Sequence, residues 1–136
     1  LTAAVSIQKV HDDSTGKPLI QSGKGNASLF AFYTMPSGPA KGLGFGGGMR
    51  YSNKSYGGEA SYGSVWVPQY AVFDASVRYD LSNLSRSLHG WNVGASVRNL
   101  FDKNFVANCL SYASYGQEFC YYGERRNAQA NIGFSW

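Results

Sequence analysis

The sequence of 136 residues predicts an all-β fold, specifically an antiparallel transmembrane β-barrel. Three observations predict it. Six stretches alternate between apolar and polar residues, their apolar faces are nearly free of charge, and aromatic residues lie at the ends of the stretches. Alternation with a period of two places the apolar residues of a strand on one face. The high content of aromatic residues, 15%, also favours strands.

The six predicted strands cover residues 1–10, 26–36, 43–52, 68–80, 91–101 and 126–136. In each of them every second residue is apolar or small, so that each strand has one apolar face. In chain order these faces comprise Leu1, Ala3, Val5 and Ile7; Ala27, Leu29, Ala31, Tyr33 and Met35; Leu43, Phe45, Gly47, Met49 and Tyr51; Ala71, Phe73, Ala75, Val77 and Tyr79; Trp91, Val93, Ala95, Val97 and Phe101; Ala128, Ala130, Ile132, Phe134 and Trp136.

The opposite faces distinguish a membrane barrel from a soluble sandwich, which also alternates. Only Lys9, at a strand end, puts a charge on the apolar face, where a charge at mid-bilayer would cost about 2–4 kcal/mol. The other face is openly charged, as a water-filled lumen tolerates. Its predicted lumen-facing charges are Arg50, Asp74, Arg78, Asp80 and Arg98.

Strand ends and connections agree with this fold. If successive strands run up and down, one rim collects Tyr33, Tyr79, Trp91 and Trp136, and the other collects Tyr51 and Phe101. Two such girdles suit the two membrane interfaces. The connections 11–25, 53–67 and 102–125 are long, whereas 37–42 is a short turn and 81–90 is intermediate. Because single-chain bacterial barrels begin at eight strands, six strands predict a piece of a larger barrel.

Several function classes are not supported by the sequence. No apolar run approaches the ~20 residues of a transmembrane helix. The 12 Lys and Arg are scattered, whereas nucleic-acid binding needs them on one face, so no nucleic-acid partner is expected. No G-x-S-x-G or H-E-x-x-H motif occurs, so the sequence gives no basis for an enzyme.

Three stretches in the last 70 residues resemble the C-terminus of TonB-dependent outer-membrane receptors. They are residues 68–81, 99–105, and the Gly-Glu-Arg at 123–125 followed by a strand that ends in Trp136. The pair Cys109 and Cys120 resembles the ferrichrome and ferrioxamine branch, which takes up ferric hydroxamate siderophores. Two residues depart from the pattern: Phe105, where Tyr is common, and Leu110, where an aromatic residue follows the first cysteine.

The resemblance implies a barrel of about 22 strands closed by an N-terminal plug domain that carries the TonB box. Neither plug nor box lies in residues 1–136, which would supply the last six strands and three extracellular loops. The implied protein is a monomeric transporter of the bacterial outer membrane, with its long loops outside and its C-terminus in the periplasm. It needs no cofactor, since iron is carried as the siderophore complex. The implied partners are ferric siderophore, TonB, the barrel-assembly machinery, and outer-membrane lipid and lipopolysaccharide.

The last long loop contains the candidate binding residues. An extracellular position predicts a disulfide between Cys109 and Cys120, worth about 3 kcal/mol. The alternative is a pair of metal ligands, for which no His or third Cys lies nearby. Large side chains around the cysteines offer apolar area, often with a polar tip, to a siderophore, although they could instead pack the loop on itself. The candidates are Leu110, Tyr112, Tyr115, Phe119, Tyr121 and Tyr122.

Two features of the barrel wall allow both a functional and a structural interpretation. The lumen charges could hold the plug, or could form cross-strand ion pairs. Residues 42–47 match G-x-G-x-x-G, but a strand follows instead of the helix that a dinucleotide site needs. We therefore expect Gly44, Gly46 and Gly48 to leave room in the lumen for the plug.

The last strand, with Phe134 and Trp136, resembles the signal read by the barrel-assembly machinery through β-augmentation. The simpler interpretation is that Trp136 is a girdle residue, and the two roles are compatible. One alternative for the whole chain is a small eight-stranded barrel with an adhesive or structural role, which would require residues 104–122 to supply two further strands. Another is a receptor of the same family for a different cargo, such as cobalamin.

Overall fold

The computed structural model describes residues 2–6, 25–112 and 117–136. These residues form ten strands in two sheets, together with two short 3-10 turns at Leu81–Asn83 and Arg86–Leu88. The strands are β1 (Thr2–Ser6), β2 (Asn26–Thr34), β3 (Leu43–Ser52), β4 (Ser55–Ala60), β5 (Gly63–Val67), β6 (Tyr70–Asp80), β7 (Trp91–Arg98), β8 (Val106–Tyr112), β9 (Gln117–Tyr122) and β10 (Asn127–Phe134).

The larger sheet has the order β1-β2-β3-β6-β7-β10, and all its neighbours are antiparallel. Its strands correspond one to one to the six predicted strands, which confirms the prediction. The first predicted strand is confirmed over Thr2–Ser6, and the rest of it lies outside the described residues. β7 stops at Arg98, three residues before the predicted end, because Asn99 turns the chain with a φ of 50°.

The registers bring the predicted apolar residues onto one continuous face. Leu29 pairs with Met49, which pairs in turn with Phe73. This face is open to its surroundings, as shown by exposed fractions of 41% for Phe73 and 65% for Ile132. An uncharged, exposed apolar face is the arrangement that contact with lipid requires.

The aromatic residues lie at opposite ends of the larger sheet, as predicted. Tyr33 contacts Phe45 near the short turn, with ring centroids 5.8 Å apart. At the same end, Trp91 contacts Phe134 at 5.0 Å, and Trp136 follows fully exposed. Tyr51 and Phe101 lie at the other end, where the Tyr51 hydroxyl donates to Gln69 Oε1 at 3.1 Å.

The larger sheet is not closed, since β1 and β10 are its edges among the described residues. The helical segments of the described residues are the two three-residue 3-10 turns, and neither is a candidate for a membrane-spanning helix. An unpaired edge of this length needs a partner strand, which agrees with the prediction that six strands are a piece of a larger barrel.

The smaller sheet, which we call the loop sheet, has the order β5-β4-β8-β9. Its strands lie within residues 53–67 and 102–125, which were predicted as long connections between the six strands, and the strands inside these connections were not predicted. The strands are short and interrupted by register shifts at Tyr56/Gly58 and Val106/Asn108, which break the alternation on which the prediction depended. Because the loop sheet does not join the larger sheet, β8 and β9 do not supply the extra barrel strands of the eight-stranded alternative.

The loop sheet consists of two hairpins that leave the same end of the larger sheet. The β4–β5 hairpin connects β3 to β6, and the β8–β9 hairpin connects β7 to β10. A parallel pairing of β4 with β8 joins them. Their buried side chains include Tyr56, Val65, Val67 and Cys109. The predicted asymmetry between long connections at one end and shorter ones at the other is thus confirmed for 53–67 and 102–125, whereas residues 11–24 of the first long connection lie outside the described residues.

Candidate functional site

The predicted disulfide is present. Cys109 on β8 lies directly opposite Cys120 on β9, with their Cα atoms 4.1 Å apart. The alternative, a pair of thiolate metal ligands, is wrong because each sulfur is bonded to the other. Glu118 lies close to both sulfurs, but this group offers a metal only the carboxylate once the thiols are oxidised.

Strand alternation divides the candidate binding residues between the two faces of the β8–β9 hairpin. Leu110 pairs with Phe119, and Tyr121 follows on the same face of β9. Tyr122 lies on the opposite face, together with the disulfide. The exposed fractions are 51% for Phe119, 58% for Tyr121 and 69% for Tyr122. We call the surface formed by Leu110, Phe119 and Tyr121 the aromatic face.

Two further candidates lie at or beyond the limits of the described chain. Tyr112 is the last residue of β8, where its backbone pairs with Gln117 and with Glu59. Tyr115 lies outside the described residues. Both stay predictions as ligand contacts.

The β4–β5 hairpin supports the β8–β9 hairpin through closely packed backbone. Gly58 pairs with Ser111, whose hydroxyl donates to the Glu59 carbonyl at 3.1 Å. Gly57 lies against Cys109, so that an added Cβ would be 3.1 Å from the Cys109 Cβ. Ser111 is only 1% exposed, which makes this contact the buried seam between the hairpins.

A polar and aromatic cluster stabilises the β4–β5 hairpin itself. The Tyr56 hydroxyl and the Ser64 hydroxyl both donate to Glu59 Oε1, at 2.9 and 3.0 Å. Burial and the Glu59 carboxylate raise the pKa of Tyr56, so the phenol stays a donor at neutral pH. The Tyr56 ring packs edge-on against Trp66 at 5.2 Å, and Lys54 lies over Trp66. Sequence reasoning missed this cluster because it treated the whole stretch as loop.

The three stretches that carry the family resemblance meet in one place, which we call the motif junction. Its centre is Asn99, which is 1% exposed. The Asn99 amide donates to the carbonyls of Lys103 and Glu124 at 2.8 and 3.0 Å, and accepts from the Lys103 N–H at 2.9 Å. The Asn99 N–H donates to Asp74 Oδ1 at 3.0 Å. One side chain therefore ties the turn after β7 to the segment before β10.

Asp102 makes a second connection across the motif junction. Arg125 donates to both of its carboxylate oxygens, at 2.9 and 2.6 Å, and the Arg126 N–H donates to the same carboxylate at 2.9 Å. The Arg125 guanidinium holds the pKa of Asp102 well below its usual range. The carboxylate therefore stays charged, and the pair intact, across the pH range in which an ordinary aspartate takes up a proton.

A ring and a glycine complete the motif junction. The Phe105 ring occupies the space where Gly123 would carry a side chain, and an added Cβ would overlap the ring. The other side of Phe105 faces Tyr70, with ring centroids 4.2 Å apart. Each of the three resembling stretches therefore contributes side chains to one packed structure at the base of the β8–β9 hairpin.

The predicted lumen-facing charges are placed on the polar face of the larger sheet. Arg50 and Asp74 form a two-point ion pair between β3 and β6, at 2.7 and 2.9 Å, as the structural interpretation expected. Arg98 lies 3.8 Å from Glu124. Glu124 was not among the predicted site residues, because it lies in the Gly-Glu-Arg sequence at 123–125 and not in an alternating strand.

Arg78 and Asp80 lie further along the same face, at the short-turn end. They line a cavity of about 440 Å³ together with Ser82, His89 and Asn92. The Asp80 carboxylate accepts hydrogen bonds from the N–H and the hydroxyl of Ser82. Asp80 is thereby the N-cap of the following 3-10 turn.

The glycines of β3 do not leave open space on the polar face of the larger sheet, so the prediction that they leave room there was wrong. Phe32 on β2 covers Gly44 and Gly46, while Phe30 covers Gly48, so that an added Cβ would lie 2.6 to 2.8 Å from a ring. Aromatic rings that cover cross-strand glycines are a recognised way of stabilising sheets. The sequence contained a sign of this packing. Phe30 and Phe32 are out of phase with the apolar face of β2, and they lie opposite the Gly-x-Gly-x-Gly run of β3.

Comparison with known proteins identifies a family. The family described as TonB dependent receptor-like, beta-barrel matches residues 2–100. The chain is 42% identical over 119 residues to the ferrichrome outer membrane transporter/phage receptor of Escherichia coli K12, covering 88% of the chain and 15% of the relative. It is 33% identical over 132 residues to the ferrioxamine receptor of Yersinia enterocolitica, covering 97% of the chain and 17% of the relative. The chain thus spans less than a fifth of the length of these relatives.

Solved structures show the same fold. The ferripyoverdine receptor of Pseudomonas aeruginosa bound to ferripyoverdine matches 97% of the chain and 17% of its own length, with a TM-score of 0.75 and 23% identity. The siderophore receptor PiuA from Acinetobacter baumannii matches 88% of the chain and 16% of its own length, with a TM-score of 0.59 and 28% identity.

Proposed function

Because the chain belongs to the TonB-dependent receptor-like β-barrel family, we propose that it is the C-terminal part of an outer-membrane receptor for ferric hydroxamate siderophores. The rest of that receptor supplies the remaining strands and a plug domain through which TonB acts. The structural observation that carries the proposal is the exposed aromatic face on a disulfide-bonded hairpin. The names of the ferrichrome and ferrioxamine relatives support the choice of hydroxamates over other cargo.

The arrangement suits binding and transport without covalent chemistry. The aromatic face offers apolar area and a phenolic hydroxyl at low entropic cost to a ligand arriving at the loop end. The disulfide and the β4–β5 hairpin limit the movement of this face, which reduces the cost of ordering it on binding. On the lumen face, the Arg50–Asp74 pair and the rings of Phe30 and Phe32 form the wall against which we place the plug.

The binding proposal is tested by comparing two neighbouring tyrosines in the full-length receptor. We expect Tyr121→Ala to weaken binding of a ferric hydroxamate about tenfold, because it removes a large exposed ring from the aromatic face. Tyr122→Ala is the matched control, since Tyr122 is also exposed, 69% against 58% for Tyr121, but lies on the opposite face of β9. Binding is measured by isothermal titration, with a ferric catecholate as the comparison ligand.

The two variants separate the possible results. Loss of affinity in Tyr121→Ala with little change in Tyr122→Ala supports the aromatic face as the contact surface. The reverse result would place the contact on the disulfide face. A parent receptor that binds the catecholate and ignores the hydroxamate would overturn the proposed ligand class.

We further propose that β10 is the signal recognised by the barrel-assembly machinery. β10 is an edge strand of the described sheet, with Phe134 50% exposed and Trp136 fully exposed beyond it. An open edge with terminal aromatic residues suits recognition by strand addition. Deleting Trp136 is expected to lower the amount of assembled, heat-modifiable receptor in the outer membrane several-fold, whereas Trp136→Phe keeps it near normal. Normal levels after the deletion would refute this role.

A further inference from the structure

The tips of the two hairpins of the loop sheet are linked by a side-chain contact. Tyr62 lies in the turn between β4 and β5, and its hydroxyl donates to the Glu118 carboxylate on β9. In the sheet order β5-β4-β8-β9, β8 lies between the β4–β5 hairpin and β9, so the contact joins two elements that do not pair with each other. It therefore connects the β4–β5 turn directly to the strand that carries Phe119 and Tyr121.

The contact between Tyr62 and Glu118 is exposed to solvent and is not part of a hydrophobic core. Tyr62 is 76% exposed, so its ring contributes little to a core. The hydrogen bond to Glu118 raises the pKa of the Tyr62 phenol, so the hydroxyl stays protonated and available as a donor at neutral pH. Because water competes for both groups, such a bond adjusts the populations of joined and separated hairpins without being required for folding.

The backbone ladder between the hairpins lies beside the contact and is short, since Glu118 pairs with Ser111, which in turn pairs with Gly58. Among the described residues, the β4–β8 ladder has two residue pairs, Gly58 with Ser111 and Glu59 with Tyr112, and beside it Val65 and Val67 of β5 pack against Cys109. Each hairpin is otherwise held by its own pairing, so a ladder this short still allows the two hairpins to tilt against each other. A second attachment point at the tips removes this freedom.

We infer that Tyr62 is a positioning residue, which acts through Glu118 to hold the β8–β9 hairpin and its aromatic face against the β4–β5 hairpin. The inference deepens the proposed function, because it rests on that face contacting the siderophore. Two loops far apart in sequence would then present one surface to the ligand. Release of the contact would let the disulfide-bonded hairpin swing about the Gly58–Ser111 seam.

The test measures the separation of the tips in the full-length receptor. Ser61 and Gln117, both exposed, are changed to cysteine and spin-labelled without reductant, which keeps the native disulfide. Double electron–electron resonance should give one narrow distance distribution in the parent and a broad one in Tyr62→Phe and Glu118→Ala. Glu118→Gln keeps an acceptor for the hydroxyl and is expected to stay narrow. Tyr33→Phe, which removes a hydroxyl at the other end of the larger sheet, is the control for that substitution.

Binding provides the second measurement. Tyr62→Phe is expected to raise the dissociation rate of a ferric hydroxamate about threefold, while Glu118→Gln and Tyr33→Phe leave it unchanged. An equally narrow distribution in Tyr62→Phe, or a broad one in the parent, would overturn the inference. Broadening in a receptor that binds no hydroxamate in any form would support the positioning role and overturn the ligand class, so the two failures are distinguishable.

Discussion

Asn99→Ala is expected to open the motif junction and to expose the base of the β8–β9 hairpin. The substitution removes three hydrogen bonds of a side chain that is 1% exposed, and it leaves the Lys103 N–H and the Lys103 and Glu124 carbonyls without their partner. Asparagine also tolerates the φ of 50° better than alanine does. Together these losses should lower the local free energy of unfolding by about 3 kcal/mol.

Hydrogen exchange followed by mass spectrometry measures this directly. A loss of that size corresponds to roughly hundredfold faster exchange in peptides that contain Lys103 and Gly123. The Gly123 N–H is a useful reporter, because it donates to the Phe105 carbonyl at 2.8 Å within the motif junction.

Two control variants identify the cause. Asn99→Gly removes the same hydrogen bonds but adopts a positive φ without strain, so it should be within about 1 kcal/mol of Asn99→Ala. Asn83→Ala removes one exposed hydrogen bond, to the Asp80 carbonyl, and should change local stability by less than about 0.5 kcal/mol. Unchanged exchange in Asn99→Ala would show that the hydrogen bonds of Asn99 do not maintain the motif junction.

The larger sheet could be predicted because its six strands alternate over five to eleven residues each, with one face apolar throughout. A slip of one residue would exchange the faces of a whole strand, so the pattern fixes the register as well as the strand. Leu29, Met49 and Phe73 therefore align across three strands as the sequence indicates. The disulfide was predictable for a different reason, since the chain has only two cysteines and both lie in one long connection between strands.

The loop sheet could not be predicted from alternation, because its stability comes from contacts between distant segments. Gly58 and Ser111 are 53 positions apart and pair through a close approach of backbone that no local pattern records. The contact of Tyr62 with Glu118 joins residues 56 positions apart. Glycine at 57 and 58 is the only local sign of such an approach, and glycine is equally common in ordinary turns.

Gly58→Ala is the substitution expected to damage the candidate site most. Gly58 has a φ of 111°, which L side chains rarely adopt, and an added Cβ would overlap the Ser111 carbonyl. Because the obstacle is backbone, no change of rotamer relieves it, and β4 must separate from β8. We expect a local cost of at least about 3 kcal/mol and a loss of ferric hydroxamate affinity of at least tenfold.

Gly63→Ala separates backbone strain from the clash. Gly63, in the same hairpin, has a φ of 128°, but nothing lies within 4 Å of an added Cβ. It should therefore cost about 1–2 kcal/mol in the β4–β5 turn and leave β8 protected from hydrogen exchange. If both variants expose β8 equally, strain in the turn explains the effect. The two variants differ in the clash with β8, which occurs at Gly58 and not at Gly63. If only Gly58→Ala exposes β8 and weakens binding, the seam between the hairpins therefore holds the binding surface in place.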